Sequence, residues 1–293
     1  MKKIEIIEVG PRDGLQNQSV ALSVADKMYF IARLVAAGAR RLEVASFVNP
    51  KRVPQMAGAE EVIAALPERG DVTYIGLVLN EMGLERALNT KVHEIGVVAV
   101  ASDSFGIRNQ KQSAQESVAM ARTVLRLARR AGRRAQVTIA TAFGCPFEGD
   151  VPLSRVVAMA EELAEEEPLE IALADTIGVG VPTQVKRMVA ALREALPHMP
   201  LRFHFHNTRN TGFANAWAAI EEGVTRLDAS AGGIGGCPFA PKATGNIATE
   251  DLDYLLTRSG FETGVDATAL AALAPWLARK LELRELPAML SRL

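Results

Sequence analysis

Two hydrophobic periods alternate along the chain. Short apolar, β-branched runs ("KIEIIEVG", "RRLEVASF", "VTYIGLV", "EIGVVAVA", "AQVTIATAF", "LEIALADT", "LRFHFH" and "TRLDASAG") recur roughly every 25 to 40 residues. Between them, apolar positions repeat at helical spacing. In "SVADKMYFIARLVAAG", Val24, Met28, Ile31 and Val35 share one face behind Ser23, which with Asp26 has the spacing of a capping box. "SAQESVAMARTVLRLARRAG" repeats the device with Ser113 and Glu116, and "RVVAMAEELAEEE", "TQVKRMVAALREAL", "GFANAWAAIEEG" and "TEDLDYLLTRSG" supply further helices. Eight strand-like runs, each followed by a helix, predict a parallel sheet closed as a (β/α)8 TIM barrel. The rival is an open doubly wound sheet. As a dinucleotide binder it would need a glycine fingerprint after the first strand, and "EVGPRDG" is not one. No low-complexity linker divides the 293 residues, so a single domain is expected: a barrel over about 2–262 and a C-terminal helical extension over about 263–293.

A barrel of this kind collects function at the C-terminal ends of its strands. Here those ends are rich in polar groups. The first run ends in Arg12-Asp13, the second carries Glu43 and ends at Ser46, the fourth ends in "ASDS" and the fifth in "TAFGCP". The sixth ends in Asp175-Thr176, the seventh in "HFHN" and the eighth in "AGGIGGCP". His204 and His206, two apart on a strand, project to the same side. Both are expected to point into the barrel, where Asp13 from another strand joins them as a candidate divalent-metal site. The plain alternative is a histidine bonded to a backbone carbonyl or water that merely fills the barrel. Mixed nitrogen and oxygen donors suit Mg²⁺, Mn²⁺ or Zn²⁺, and spacing does not choose among them.

Arg12 reads either as a structural ion pair or as a stabiliser of a developing oxyanion, with Glu43 as its carboxylate partner. The glycine-rich loop "AGGIGGCPFAPKATGN" carries Cys237 above the site. A free cysteine is commonly an inert small apolar residue; on a mobile loop over a charged site, acid–base chemistry is the functional reading. Cys145, in the near-twin "GCPFEG", reads as structural.

Charge excludes some classes. With 33 Lys and Arg against 34 Asp and Glu, nothing suggests nucleic acid or a charged disordered tail. No stretch approaches the roughly 18 uninterrupted apolar residues of a membrane span, and "MKKIEIIEVG" lacks the apolar core and cleavage site of a secretory signal. Two cysteines cannot staple a fold of this size or form a four-thiolate zinc site. These features predict a cytoplasmic protein with reduced thiols that binds neither nucleic acid nor membrane.

Five segments, "VGPRDGLQNQ", "EVASFVNPKRVPQMA", "ADTIGVGVP", "HFHNT" and "GGIGGCPFAPKATGNIATEDLDYLL", together resemble the 3-hydroxy-3-methylglutaryl-CoA lyase family of the DRE-TIM metallolyases, in register from about residue 6 to 265. The resemblance implies a metal held by Asp13, His204, His206 and Asn246, in a roughly octahedral shell that favours Mg²⁺ or Mn²⁺ over Zn²⁺. It places Arg12, Glu43 and Cys237 on catalytic positions and Asp175 on a further acidic position of the site. Arg12, Gln16, Ser46 and Arg209 are the candidate substrate-binding residues. The implied reaction is a retro-aldol (Claisen-type) cleavage of hydroxymethylglutaryl-CoA to acetyl-CoA and acetoacetate. The implied partner is an acyl-CoA, and the implied assembly is a homodimer.

The chain departs from the family after the second histidine. Where an aspartate and then Thr-x-Gly are expected, it has Asn207-Thr208-Arg209-Asn210, and Pro241 and Lys242 replace smaller residues in the last loop. None of these changes falls on an implied ligand. They bear on the acyl group, which keeps open a related lyase for a citramalyl-type or longer-branched 3-hydroxyacyl-CoA. Further alternatives are a Claisen-type synthase, which the Cys237 loop argues against, and an acyl-CoA-binding barrel that has lost turnover. Lys51, Arg52, Arg108 and Lys111, expected in loops above the second and fourth strands, are candidates for CoA phosphates or plain surface charges.

Overall fold

Each apolar run becomes one stave of a barrel. The computed structural model, which describes residues 2–236 and 245–292, has eight parallel strands: β1 (Glu5–Glu8), β2 (Arg41–Ser46), β3 (Thr73–Val78), β4 (Glu94–Val100), β5 (Arg134–Ala140), β6 (Ile171–Asp175), β7 (Leu201–Phe205) and β8 (Arg226–Ala229). Consecutive strands are neighbours, and β8 pairs with β1 from Glu5–Arg226 to Glu8–Ala229, which closes the ring. Parallel pairing needs long crossovers. They carry the helices α1 (Val24–Ala36), α2 (Ala59–Ala65), α3 (Glu81–Leu88), α4 (Asp103–Gln110), α5 (Ala114–Arg130), α6 (Leu153–Ala164), α7 (Pro182–Ala195) and α8 (Gly212–Glu221), and α9 (Thr249–Arg258) follows β8. The extension after the barrel contains α10 (Ala267–Lys280), whose Trp276 packs on Tyr29 of α1 at a ring-centroid distance of 4.6 Å. No helix among the described residues is long and apolar enough to cross a membrane.

The two expected caps differ. Ser113 and Glu116 form a full capping box, with Glu116 N donating to Ser113 Oγ at 3.2 Å and Ser113 N to Glu116 Oε2 at 2.7 Å. Ser23 accepts from Asp26 N at 3.1 Å, but the shorter Asp26 side chain takes the Ser23 hydroxyl at 2.8 Å instead of the backbone N–H.

A bulge in β2 decides what lines the barrel. Glu43 stands opposite Ile75 of β3, Ala45 opposite Gly76 and Ser46 opposite Leu77, so one extra residue is accommodated between Glu43 and Ala45. Ile75 and Leu77 share the interior face with Glu43, all three flanking Gly96 of β4. Strict alternation would turn Ala45 inward; the bulge turns Ser46 inward instead.

The N-terminal end of the barrel is plugged by charge. Arg41 reaches Glu94 at 2.8 Å and Glu170 at 2.9 Å, while Arg202 and Arg226 reach Glu170 at 3.2 and 2.9 Å. Glu170 is fully buried; burial pushes its carboxyl up, but the guanidiniums of Arg202, Arg41 and Arg226 hold it below the usual range. At the opposite end, Glu8 links three segments. Its Oε1 accepts Gly10 N at 2.8 Å and Ala231 N at 3.0 Å, and its Oε2 accepts Thr249 Oγ1 at 2.7 Å. Burial moves the Glu8 carboxyl from 4.5 up to about 7, against these hydrogen bonds.

Two predictions follow the two carboxylates. Glu170→Gln leaves buried guanidiniums short of countercharge and should lower the urea unfolding free energy by about 3–5 kcal/mol; a loss under about 1 kcal/mol would show a plug that water screens. Because Glu8 binds its proton more tightly folded than unfolded, its contribution is greatest below about 4.5 and is lost as pH rises through about 7. Glu8→Gln should therefore gain stability relative to wild type between pH 5 and 8, by up to about 3 kcal/mol. A difference that stays constant with pH would contradict this.

Candidate active site

The chain leaves β1 through a five-residue π-helical turn, Gly10–Gly14, so Arg12 and Asp13 sit on a turn beyond the strand and not at its last residues. A side chain at Gly10 could not be accommodated: its Cβ would lie 2.7 Å from Glu8 Oε1, the oxygen that accepts the Gly10 N–H. The turn carries Asp13 over β7. Asp13 Oδ2 lies 3.9 Å from Nε2 of His204 and 3.9 Å from Nε2 of His206, whose rings stand 5.0 Å apart. The three side chains can offer ligand atoms all within 4.8 Å of one another. Both nitrogens of the buried His206 ring lack a hydrogen-bond partner among the described residues. A buried imidazole left in that state is costly unless something else binds it. The nitrogen and oxygen donors, their spacing and this orphaned ring fit a divalent cation.

Electrostatics agree. Burial opposes charge on Asp13, but Arg12 and the two imidazoles hold its carboxyl well below the usual range. Burial likewise opposes charge on His204, yet the hydrogen bond to Asp228 and the nearby Asp13 push its pKa up. The pocket favours positive charge.

Asn246 is brought in by an antiparallel bridge to His206. Its Nδ2 donates to Asp13 Oδ2 at 2.9 Å and to Ile234 O at 3.0 Å, which leaves Oδ1 as the atom able to ligate. Arg12 is clamped between carboxylates, its Nε on Glu43 Oε2 at 2.8 Å and its Nη1 on Asp13 Oδ1 at 2.8 Å. The ion-pair and oxyanion readings of Arg12 are therefore compatible: the pair fixes the guanidinium of a side chain that is still 13% exposed.

Ser46 Oγ and Gln16 Oε1 are buried and without a hydrogen-bond partner among the described residues, as suits groups kept for a substrate. Asp175 is already engaged, Oδ1 accepting from Val179 N and Oδ2 from Gly180 N, both at 2.9 Å, so it shapes the loop after β6. Burial nonetheless raises its pKa, against these two amides and the two histidines. Arg209 clasps the same loop through Ile177 O and Gly178 O at 3.2 and 3.0 Å. Asn210 adopts the left-handed conformation, φ 57°, that glycine favours, which explains how the chain turns there without glycine. Asn207 is engaged by the backbone: its Oδ1 accepts Gly212 N at 3.1 Å and its N–H donates to Gly245 O at 2.8 Å.

Cys237, Pro241 and Lys242 lie outside the described residues. The segments on either side of them flank the site: Asn17 holds Gly236 O at 2.6 Å, and Asn207 holds Gly245 O. Cys145 is buried and accepts the Ser102 hydroxyl at 2.8 Å, as a structural residue would. Arg108, expected in a loop, is on α4 and lies over the Phe147 ring at 4.1 Å. Two buried groups escaped the sequence reading. Asp228, in register with His204 on β8, meets His204 Nδ1 at 3.1 Å, and strand parity alone could have found it. Glu8 gave no such signal.

Known proteins share this chain's sequence pattern and fold. The model of the HMGL-like family matches residues 3–276. The (R)-citramalyl-CoA lyase of Chloroflexus aurantiacus is 43% identical, over 100% of this chain and 95% of its own. A 3-hydroxy-3-isohexenylglutaryl-CoA/hydroxymethylglutaryl-CoA lyase of Pseudomonas aeruginosa is 44% identical, over 92% and 90%. The structure of an HMG-CoA lyase from Acinetobacter baumannii in complex with coenzyme A and 3-methylmalate superposes with a TM-score of 0.93 at 36% identity, over 99% of this chain and 94% of that one. The chain thus belongs to the HMGL-like family and is a lyase of that family.

Proposed function

We propose that this lyase cleaves the thioester of a branched dicarboxylic acid with a tertiary 3-hydroxyl, releasing acetyl-CoA, and that hydroxymethylglutaryl-CoA is its substrate, with acetoacetate as the second product. The observation that carries the proposal is the Asp13–His204–His206 cluster with a clamped Arg12 beside it, at the mouth of the barrel. Asp13, His204 and His206 would hold the cation, with Asn246 through Oδ1, and the donor set suits Mg²⁺ or Mn²⁺. When bound, such a cation supplies Lewis acidity toward the substrate's hydroxyl and carboxylate oxygens.

The chain's own groups do the rest. Arg12, with N–H groups to spare, neutralises the charge that gathers on the thioester oxygen as the carbon–carbon bond breaks. Glu43 keeps that guanidinium in place. Gln16 and Ser46 turn unpaired oxygens toward the acyl chain, and the hydroxyl's proton passes to Asp175 or to a histidine of the cluster. Cys237 is the proposed donor of a proton to the enolate carbon. Arg209 acts on the substrate indirectly, through the loop it clasps.

A second substrate is favoured by the full-length 43% identity to the citramalyl-CoA lyase. In citramalyl-CoA the carboxylate sits on the carbinol carbon itself; in hydroxymethylglutaryl-CoA it is one methylene further out. The two would chelate a cation in rings of five and six atoms, so one site can favour either by the placement of the acyl end.

With Mn²⁺ added, acetyl-CoA should form from hydroxymethylglutaryl-CoA at a kcat of roughly 1 s⁻¹ or more, and EDTA should stop it. A higher kcat/KM on citramalyl-CoA, with pyruvate as coproduct, would move the assignment to that substrate. No acetyl-CoA from either, or from longer-branched analogues, would sink it. Asp13→Ala should abolish Mn²⁺ binding in a calorimetric titration and cut kcat/KM on the order of 10³-fold, the several kcal/mol that charge stabilisation by a metal is worth. Retained Mn²⁺ binding would remove Asp13 from the ligand set.

A further inference from the structure

Below the cluster, the barrel interior holds a carboxylate that no step above uses. Asp228 stands on β8 in register with His204 on β7, both side chains turned inward and both buried. Asp228 Oδ2 lies 3.1 Å from His204 Nδ1. An ionised carboxylate only accepts hydrogen bonds, so the ring must present its N–H at Nδ1. In the neutral ring that leaves Nε2, the nitrogen 3.9 Å from Asp13 Oδ2, with its lone pair facing the cluster. Asp228 is itself held from beneath: its Oδ1 pairs with Arg202 Nε at 3.3 Å, and Arg202 Nη1 pairs with Glu170 at 3.2 Å. His206 has no equivalent support on either ring nitrogen among the described residues. The two histidines of the H-x-H pair are therefore not equivalent.

We propose that Asp228 is a positioning residue that sets the tautomer and ring orientation of His204, so that His204 meets a cation through Nε2, and that Arg202 holds Asp228 in place for that task. The proposal rests on the metal reading of the cluster. It makes the metal site continuous with the charge plug at the far end of the barrel, through one unbroken line of side chains: His204, Asp228, Arg202 and Glu170.

Two readouts test it, neither of which is activity. Calorimetric titration with Mn²⁺ should show Asp228→Ala binding about 10–100-fold more weakly than wild type. In metal-free protein labelled with ¹⁵N at histidine and titrated until the ring is neutral, the His204 signals, identified by their loss in His204→Gln, should show Nδ1–H and bare Nε2 in wild type. In Asp228→Ala they should shift away from that pattern. If Asp228→Ala does not fold because Arg202 loses a partner, the double variant Asp228→Leu/Arg202→Met removes both charges together and should give the same two results. Affinity within twofold of wild type overturns the proposal, and so does weaker binding with an unchanged histidine spectrum, since Asp228 would then act only through its net charge. A wild-type protein that binds no Mn²⁺ overturns the metal reading as well, which separates the two failures.

Discussion

Charge placed inside a barrel has no water to turn to, and the interior of this one is organised around that constraint. Glu170 meets Arg41, Arg202 and Arg226 at the N-terminal end, and each of these guanidiniums has at least one further carboxylate. A buried ion is tolerable only when its partners are complete. Arg202 passes the pairing up to Asp228, Asp228 to His204, and His204 faces Asp13. The apolar halves of the strands are left to face the helices, where Phe203 and Phe205 stack 5.6 Å apart and pack against Phe143. Along β7, polar interior and apolar exterior thus alternate residue by residue.

The mouth is built differently. Its functional groups stand on turns, and turns need anchors. Glu8 ties the Gly10–Gly14 turn to Ala231 and to the start of α9, and Glu250 next along α9 accepts Gly232 N with both oxygens at 3.0 Å. Asp175 does the same for the loop after β6, helped by Arg209. Several carboxylates at this end thus hold backbone N–H groups, and the loops they hold carry or border the residues that meet a ligand.

Much of this was legible in the sequence, and the exceptions have physical reasons. Eight β-branched runs and the long amphipathic helices announced the barrel because both periods are strong. The short α2, α3 and α4 went undelimited because 7 or 8 residues cover only about two turns and leave little periodicity to detect. His204, His206 and Asp13 were found from spacing and barrel geometry together, and Arg12 with Glu43 from charge. Asp228 was available by the same parity argument, opposite His204, but a single aspartate in a strand draws no notice without its register. Glu8 was out of reach, since nothing in "EIIEVG" says that its carboxylate will accept N–H groups from residues more than 200 positions away.

The bulge in β2 has a consequence for how the reaction chamber could be altered. Because it turns Ser46 inward in place of Ala45, the lining of that wall is set by the register with β3 and not by counting alternate residues from Glu43. Deleting Val44 would remove the extra residue yet keep Ala45 opposite Gly76 and Ser46 opposite Leu77, so strict alternation would return with Ser46 still at the chamber wall and Glu43 unmoved. A strand of this kind can therefore lose one residue without changing what lines the chamber, while a count by twos along the present chain would name Ala45 and miss the hydroxyl.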